Sequence, residues 1–123
     1  MNKIALITGA AGGLGQSLAT QLAKDGWQLI LVSRDAERLR AAYGGDHLQI
    51  VADCTTPEGA RSILDTAAAQ GLVPQALAHC VGNIRLGALH RLTKKEFQEA
   101  LDANLVSAFH TLAAFVGNLR QHN

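Results

Sequence analysis

The sequence predicts an α/β fold of three layers, with a parallel sheet of about four strands between two helical layers. Two observations carry that expectation. Short, nearly continuous apolar runs read as strands buried on both faces, and they alternate strictly with stretches of helical spacing. Strict alternation requires crossover connections, which make neighbouring strands parallel and place helices on both sides.

The elements follow in order. Lys3-Ile4-Ala5-Leu6-Ile7-Thr8 is the first strand, ending in glycines. Leu14, Leu18 and Leu22, flanked by Ala19 and Ala23, recur at helical spacing until Gly26 stops them. Trp27 to Ser33 is the second strand, after which Asp35 caps a short helix to about Tyr43. Gly44-Gly45 breaks the chain before a third strand, His47 to Ala52. Thr56-Pro57-Glu58 sets a cap, an N1 proline and a first-turn acid in sequence. Ala60, Ile63, Leu64, Ala67 and Ala68 give that helix a buried face, and Gly71 ends it. Gln75 to Val81 is a fourth strand closed by Gly82, and Thr93-Lys94-Lys95-Glu96 is a capping box opening a long last helix to about Leu119.

Composition bounds the rest. The 123 residues are 48% hydrophobic and 17% charged with a formal net charge of +1, which excludes a disordered chain and a nucleic-acid binder. Two cysteines, Cys54 and Cys80, are too few for a disulfide framework and fit no metal spacing, so no metal site is expected. The opening apolar run is shorter than a signal peptide's, and no run approaches a membrane helix. These features predict a single domain over residues 1–123 in the cytoplasm.

The chemistry begins after the first strand, at Thr8-Gly9-Ala10-Ala11-Gly12-Gly13-Leu14-Gly15. A diphosphate there needs a tight turn, backbone approach without Cβ atoms in the way, and helix N–H groups aimed at the anion. Gly9, Gly13 and Gly15 can supply these. The alternative is a plain glycine-rich turn, and placement in a strand–loop–helix unit favours phosphate. Without a Gly-Lys-Ser/Thr sequence, a nucleoside-triphosphate loop is excluded.

The spacing Thr-Gly-x-x-x-Gly-x-Gly, met as Thr8-Gly9, Gly13 and Gly15, resembles the short-chain dehydrogenase/reductase family. Further signals follow in the family's order: Ser33-Arg34-Asp35 after strand two, Asp53 after strand three, Gly82 after strand four, and Asp102-Ala103-Asn104-Leu105 in the last helix. The resemblance implies a Rossmann-like domain with strand order 3-2-1-4, of which the chain covers the N-terminal half, ending after the fourth helix. It implies a dinucleotide held by Thr8, Gly9, Gly13, Leu14, Gly15, Ser33, Arg34, Asp53, Cys54, Val81 and Gly82, with Asp53 and the Cys54 backbone meeting the adenine edge.

Asp35 stands where a carboxylate would accept the ribose hydroxyls of NAD, but Ala36-Glu37-Arg38-Leu39 follows directly, which makes it a helix cap. Strand two therefore ends on neutral Ser33 beside Arg34, resembling members that prefer NADP over NAD; the alternative is a solvated arginine. Departures are also visible. The family's Asn-Asn-Ala-Gly reads His79-Cys80-Val81-Gly82, a pair better read as a satisfied buried histidine and an inert cysteine than as metal ligands. Tyr43 is the one tyrosine, and His47 rather than lysine lies four residues on. Of the family's catalytic tetrad only Asn104 remains, in a supporting role, so this polypeptide alone is expected to be inactive in carbonyl or alcohol oxidoreduction.

The last helix carries one apolar stripe through Phe97, Leu101, Leu105, Ala108, Leu112, Phe115 and Leu119, and another through Val106, Phe109, Ala113 and Val116. One stripe faces the sheet and the other needs a partner, so a homo-oligomer is expected through helix 94–119 or through the strand 75–81 edge. Two alternatives stand beside a cofactor-holding domain: an oligomeric scaffold without cofactor, and half of a split enzyme whose tyrosine, lysine and serine come from another chain.

Overall fold

The computed structural model describes residues 3–122. Four parallel strands, β1 (Ile4–Thr8), β2 (Gln28–Ser33), β3 (Leu48–Val51) and β4 (Ala76–His79), form one sheet in the order β3-β2-β1-β4. That is the order expected. Helices α1 (Gly13–Lys24), α2 (Ala36–Tyr43) and α3 (Pro57–Ala69) are the crossovers. A 3-10 turn at Leu89–Arg91 precedes α4 (Lys94–Leu101), a π turn (Asp102–Val106) and α5 (Ser107–His122).

β1 is buried along its whole length because it is central and covered on both faces. Its side chains alternate between two cores. Ile4 and Leu6 pack with Ile30, Val32, Ile50, Ile63 and Leu64, while Ala5 and Ile7 pack with Ala19, Leu29, Leu31 and Leu39. The second core belongs to the α1 and α2 side, the first to α3, with Ala114 of α5 packed against it. The expected caps form: Asp35 Oδ1 accepts from the Glu37 and Arg38 amides, Thr56 Oγ1 from Gly59, and Thr93 Oγ1 from Glu96.

Several expectations need correction. Leu14 is 73% exposed; α1 buries Gly15 and Ala19, because the glycines bring the helix start too close to the loop for a leucine to turn inward. Ala68 is exposed on α3. β3 starts at Leu48, with His47 in the left-handed region at φ 66°. The expected last helix forms and runs on from Lys94 to His122, but the π turn within it adds a residue to one turn and rotates every later position by roughly 100° about the axis. Neither apolar stripe therefore makes the buried seam. Ser107 and Thr111, one turn apart, are the fully buried residues of α5, whereas Leu105, Phe109 and Leu112 are 63%, 65% and 51% exposed. The stretch Lys94–His122 is also long and apolar enough to cross a membrane by length and composition, contrary to expectation.

Candidate dinucleotide cleft

Parallel strands all end on one side of the sheet, and the loops leaving those ends enclose a cleft of about 440 Å³. Gly9, Ser33, Arg34, Asp53, Cys54, Val81 and Gly82, all singled out in the sequence, line it together. Ala11, Gly12, Arg38, Asn83 and Ala103 line it too and were not singled out. A larger hollow of about 600 Å³ adjoins it through Asn83, bounded by Arg85, Leu86, Leu89, Arg91, Glu96 and Asn104, with Arg85 and Glu96 ion-paired across it.

Gly9 shows why the loop is glycine. Its φ is +64°, and a Cβ there would strike the Cys80 carbonyl at the exit of β4. A Cβ on Gly15 would lie 2.5 Å from Gly9 O, so helix and loop meet backbone to backbone. At Gly13 a Cβ would meet nothing, so that space is left open by the protein itself. Gly12 caps α1 without a side-chain hydrogen bond and no acid stands in the first turn, which leaves the positive helix end bare. These features fit a diphosphate. Thr8, fully buried below the loop, and Leu14 and Gly13, in the first turn of α1, do not line the cleft.

The loop is braced from beneath. Tyr43 donates its hydroxyl proton to Ala10 O at 2.7 Å, and Arg38 reaches Ala11 O at 3.4 Å. Burial, helped by Cys80, raises the Tyr43 pKa, so this phenol is held protonated in a supporting role.

At the far end, Asp35 spends its carboxylate on α2, and its own amide donates to Ser33 Oγ at 3.1 Å. Among the described residues neither Arg34 nor Arg38 pairs with a carboxylate. The hydroxyl and amide of Thr55 donate to Asp53 Oδ1 at 2.7 and 2.9 Å and hold its carboxyl below the usual range, helped by the charge of Arg34. Cys54 is buried, and burial pushes its thiol up against a smaller lowering by the Thr111 hydroxyl.

At the end of β4, His79 and the next residue, Cys80, face opposite sides of the sheet. His79 meets Thr8 and Ser107 in hydrogen bonds, as expected of a satisfied histidine, while Cys80 joins the α1–α2 core. Asn104, in the π turn, lies on the neighbouring hollow rather than on the cleft. Its Oδ1 accepts from the Asn83 amide at 3.0 Å, and its Nδ2 donates to Asn83 Oδ1 and Ala100 O. A Cβ at Gly82 would fall 2.6 Å from that Oδ1, which ties Gly82 to Asn104.

Sheet order, crossovers and the loops at the strand ends define a Rossmann-like fold. The short chain dehydrogenase family model matches residues 3–123, and the chain belongs to that family. It is 31% identical to a (2S)-[(R)-hydroxy(phenyl)methyl]succinyl-CoA dehydrogenase subunit of Thauera aromatica, over 96% of this chain and 50% of that protein. A short-chain type dehydrogenase/reductase from Mycobacterium marinum superposes with a TM-score of 0.88 at 29% identity, covering 98% of this chain and 51% of that one. An alcohol dehydrogenase from Thermococcus sibiricus, solved with 5-hydroxy-NADP, gives 0.85 at 27% identity over 98% of this chain and 55% of its own. The chain spans about half the length of the curated relatives it matches.

Proposed function

We propose that the cleft is the dinucleotide half of an oxidoreductase site acting on carbonyls or alcohols, and that it takes NADP in preference to NAD. One observation supports the choice above the others: two guanidinium groups, Arg34 and Arg38, line one end of the cleft with no carboxylate partner among the described residues, while Asp35 is engaged by backbone amides. Ser33, whose oxygen accepts from Asp35 N, keeps its proton to donate. These groups suit a ribose 2′-phosphate. Asp53 accepts from the adenine amine and the Cys54 amide donates to the ring, while Gly9, Gly12, Gly13 and the first turn of α1 hold the diphosphate. Gly15, Val81 and Gly82 shape the approach, while Thr8 supports the loop from below and Leu14 lies outside the cleft. The dinucleotide would supply hydride to a carbonyl as NADPH, or accept it from an alcohol as NADP+.

Asn104 acts by fixing the loop after Gly82. The proton relay comes from a tyrosine–lysine pair outside these 123 residues, so this chain alone binds without turning over. The exposed α5 face, with Phe109 and Leu112, receives a second copy, as does the β4 edge in the alternative pairing, and the protein works in the cytoplasm. The test is titration with NADPH and with NADH. An arginine–phosphate contact is worth roughly 1.5–3 kcal/mol, so NADPH binds about tenfold tighter or more and Arg34→Ala narrows the gap. Equal affinities before mutation refute the NADP reading, and no saturable change with either nucleotide favours a cofactor-free scaffold.

A further inference from the structure

A chain of four polar groups runs beneath the cleft and has no part in the contacts described for the dinucleotide. Thr8 Oγ1 lies 2.7 Å from His79 Nδ1, His79 Nε2 lies 3.2 Å from Ser107 Oγ, and Ser107 Oγ donates to Ala103 O at 2.7 Å. Proton counting assigns the tautomer. Ser107 has a single hydroxyl proton and gives it to Ala103, so its oxygen accepts from Nε2–H; Nδ1 is then a lone pair, and Thr8 donates to it. Every group is satisfied only while the ring is neutral. Thr8 and Ser107 are fully buried, so a misplaced proton here has no water to turn to.

The places joined matter more than the bonds. Thr8 precedes Gly9, whose backbone crosses Cys80 O too closely for a Cβ. His79 is the last residue of β4, three before Gly82. Ser107 follows the π turn, whose Ala103 lines the cleft and whose Asn104 holds Asn83. We propose that His79 is a positioning residue for the cleft: as the neutral Nε2–H imidazole it fixes the glycine loop, the β4 exit and the π turn relative to one another, and its protonation loosens that join. The functional part rests on the dinucleotide reading of the cleft.

Burial lowers the basicity of this imidazole; the ionisable groups on the surrounding elements, Cys54 after β3, Cys80 on the opposite face of the sheet, Asp102 in the π turn and His110 in α5, are not among its hydrogen-bond partners, which are Thr8 and Ser107. The folded chain thus takes up the proton less readily than the unfolded one. The join is intact above the ordinary histidine value of about 6.5 and is lost as pH falls through the lower folded value.

The test uses NADH, whose diphosphate keeps its charge from pH 8 to 5.5, unlike a 2′-phosphate titrating near 6. Nitrogen-15 NMR of the imidazole, assigned by its loss in His79→Gln, is expected to show Nε2–H at pH 7. NADH affinity is expected to fall from pH 8 to 5.5 by up to about fivefold, the ceiling when binding lowers by about one unit an imidazole pKa that starts no higher than about 6.5, and to stay flat in His79→Gln. Should His79→Gln fail to fold, Ser107→Ala decides: it is expected to release an Nδ1–H population and to weaken NADH at pH 8. An Nδ1–H ring in the unchanged chain, coincident pH profiles, or a Ser107→Ala variant with unchanged tautomer and affinity overturns the proposal. Absence of NADH binding at every pH overturns the cleft reading and the functional part together, whereas binding with coincident profiles overturns this proposal alone.

Discussion

Gly82 and Asn104 test whether the loop after β4 is held by the π turn. Gly82→Ala puts a Cβ 2.6 Å from Asn104 Oδ1 and meets nothing else except that side chain's Cγ at 3.6 Å. A long flexible side chain would swing aside at little cost. Asn104 cannot, because its amide makes three hydrogen bonds, at 3.0, 3.1 and 2.9 Å. Solvent-exposed hydrogen bonds are worth about 0.5–1 kcal/mol each, so displacing the amide from all three costs roughly 1.5–3 kcal/mol. Asn104→Ala alone costs a similar amount. In the Asn104→Ala background the clash is gone, and Gly82→Ala is neutral or stabilises by up to about 0.5 kcal/mol through the unfolded chain. The double-mutant cycle therefore predicts a coupling of about 1.5–3 kcal/mol, read by urea denaturation of the four proteins. If Gly82→Ala costs the same in both backgrounds, to within about 0.5 kcal/mol, the two residues do not brace one another and the reasoning is wrong.

Two further outcomes follow from the surface. With Phe109 and Leu112 exposed on α5, Leu112→Glu is expected to lower the sedimentation mass at micromolar concentration from an assembly to a monomer; a monomer before mutation removes the dimer proposal. The Asp53 carboxyl, held low chiefly by the Thr55 hydroxyl and then by its amide, contributes stability present above its unfolded value near 3.8 and lost as pH falls through the lower folded value. Asp53→Asn should flatten that acid limb in urea midpoints measured from pH 5 to 3, and parallel profiles would show that Thr55 does not favour the ionised form.

The strands, crossovers and caps were legible because each rests on a local rule: unbroken apolar runs for central strands, and Asp35, Thr56 and Thr93 placed to accept amides three or fewer residues on. Gly9 was legible for the same reason, although its close neighbour, Cys80 O, is distant in sequence. The misreading of the last helix has one cause. A π turn leaves no mark in apolar spacing, so stripes drawn at one period through Phe97 and Leu119 lose register partway along the helix. Ser107 and Thr111 escape an apolar pattern because they are polar, yet they are the buried residues of α5. Arg38 reads as one more charged residue on a short helix, and only the cap at Asp35 starts α2 so that it reaches Ala11 O.

The buried polar contacts of the sheet gather where the parallel strands end. Thr8 closes β1 and His79 closes β4, the adjacent pair at which the chain's direction across the sheet changes. Elsewhere the sheet is covered by aliphatic side chains, which fill space without fixing the angle between two loops. Hydrogen bonds do fix it, because a donor and an acceptor agree at one distance and one tautomer. Where an asparagine would brace this loop in relatives of the usual pattern, the chain places an imidazole that reaches two partners at once, Thr8 on one side and Ser107 on the other. A second join on the floor beneath the loop is thereby added to the Asn104–Asn83 brace within it, and that second join is sensitive to a proton that an amide would never take up.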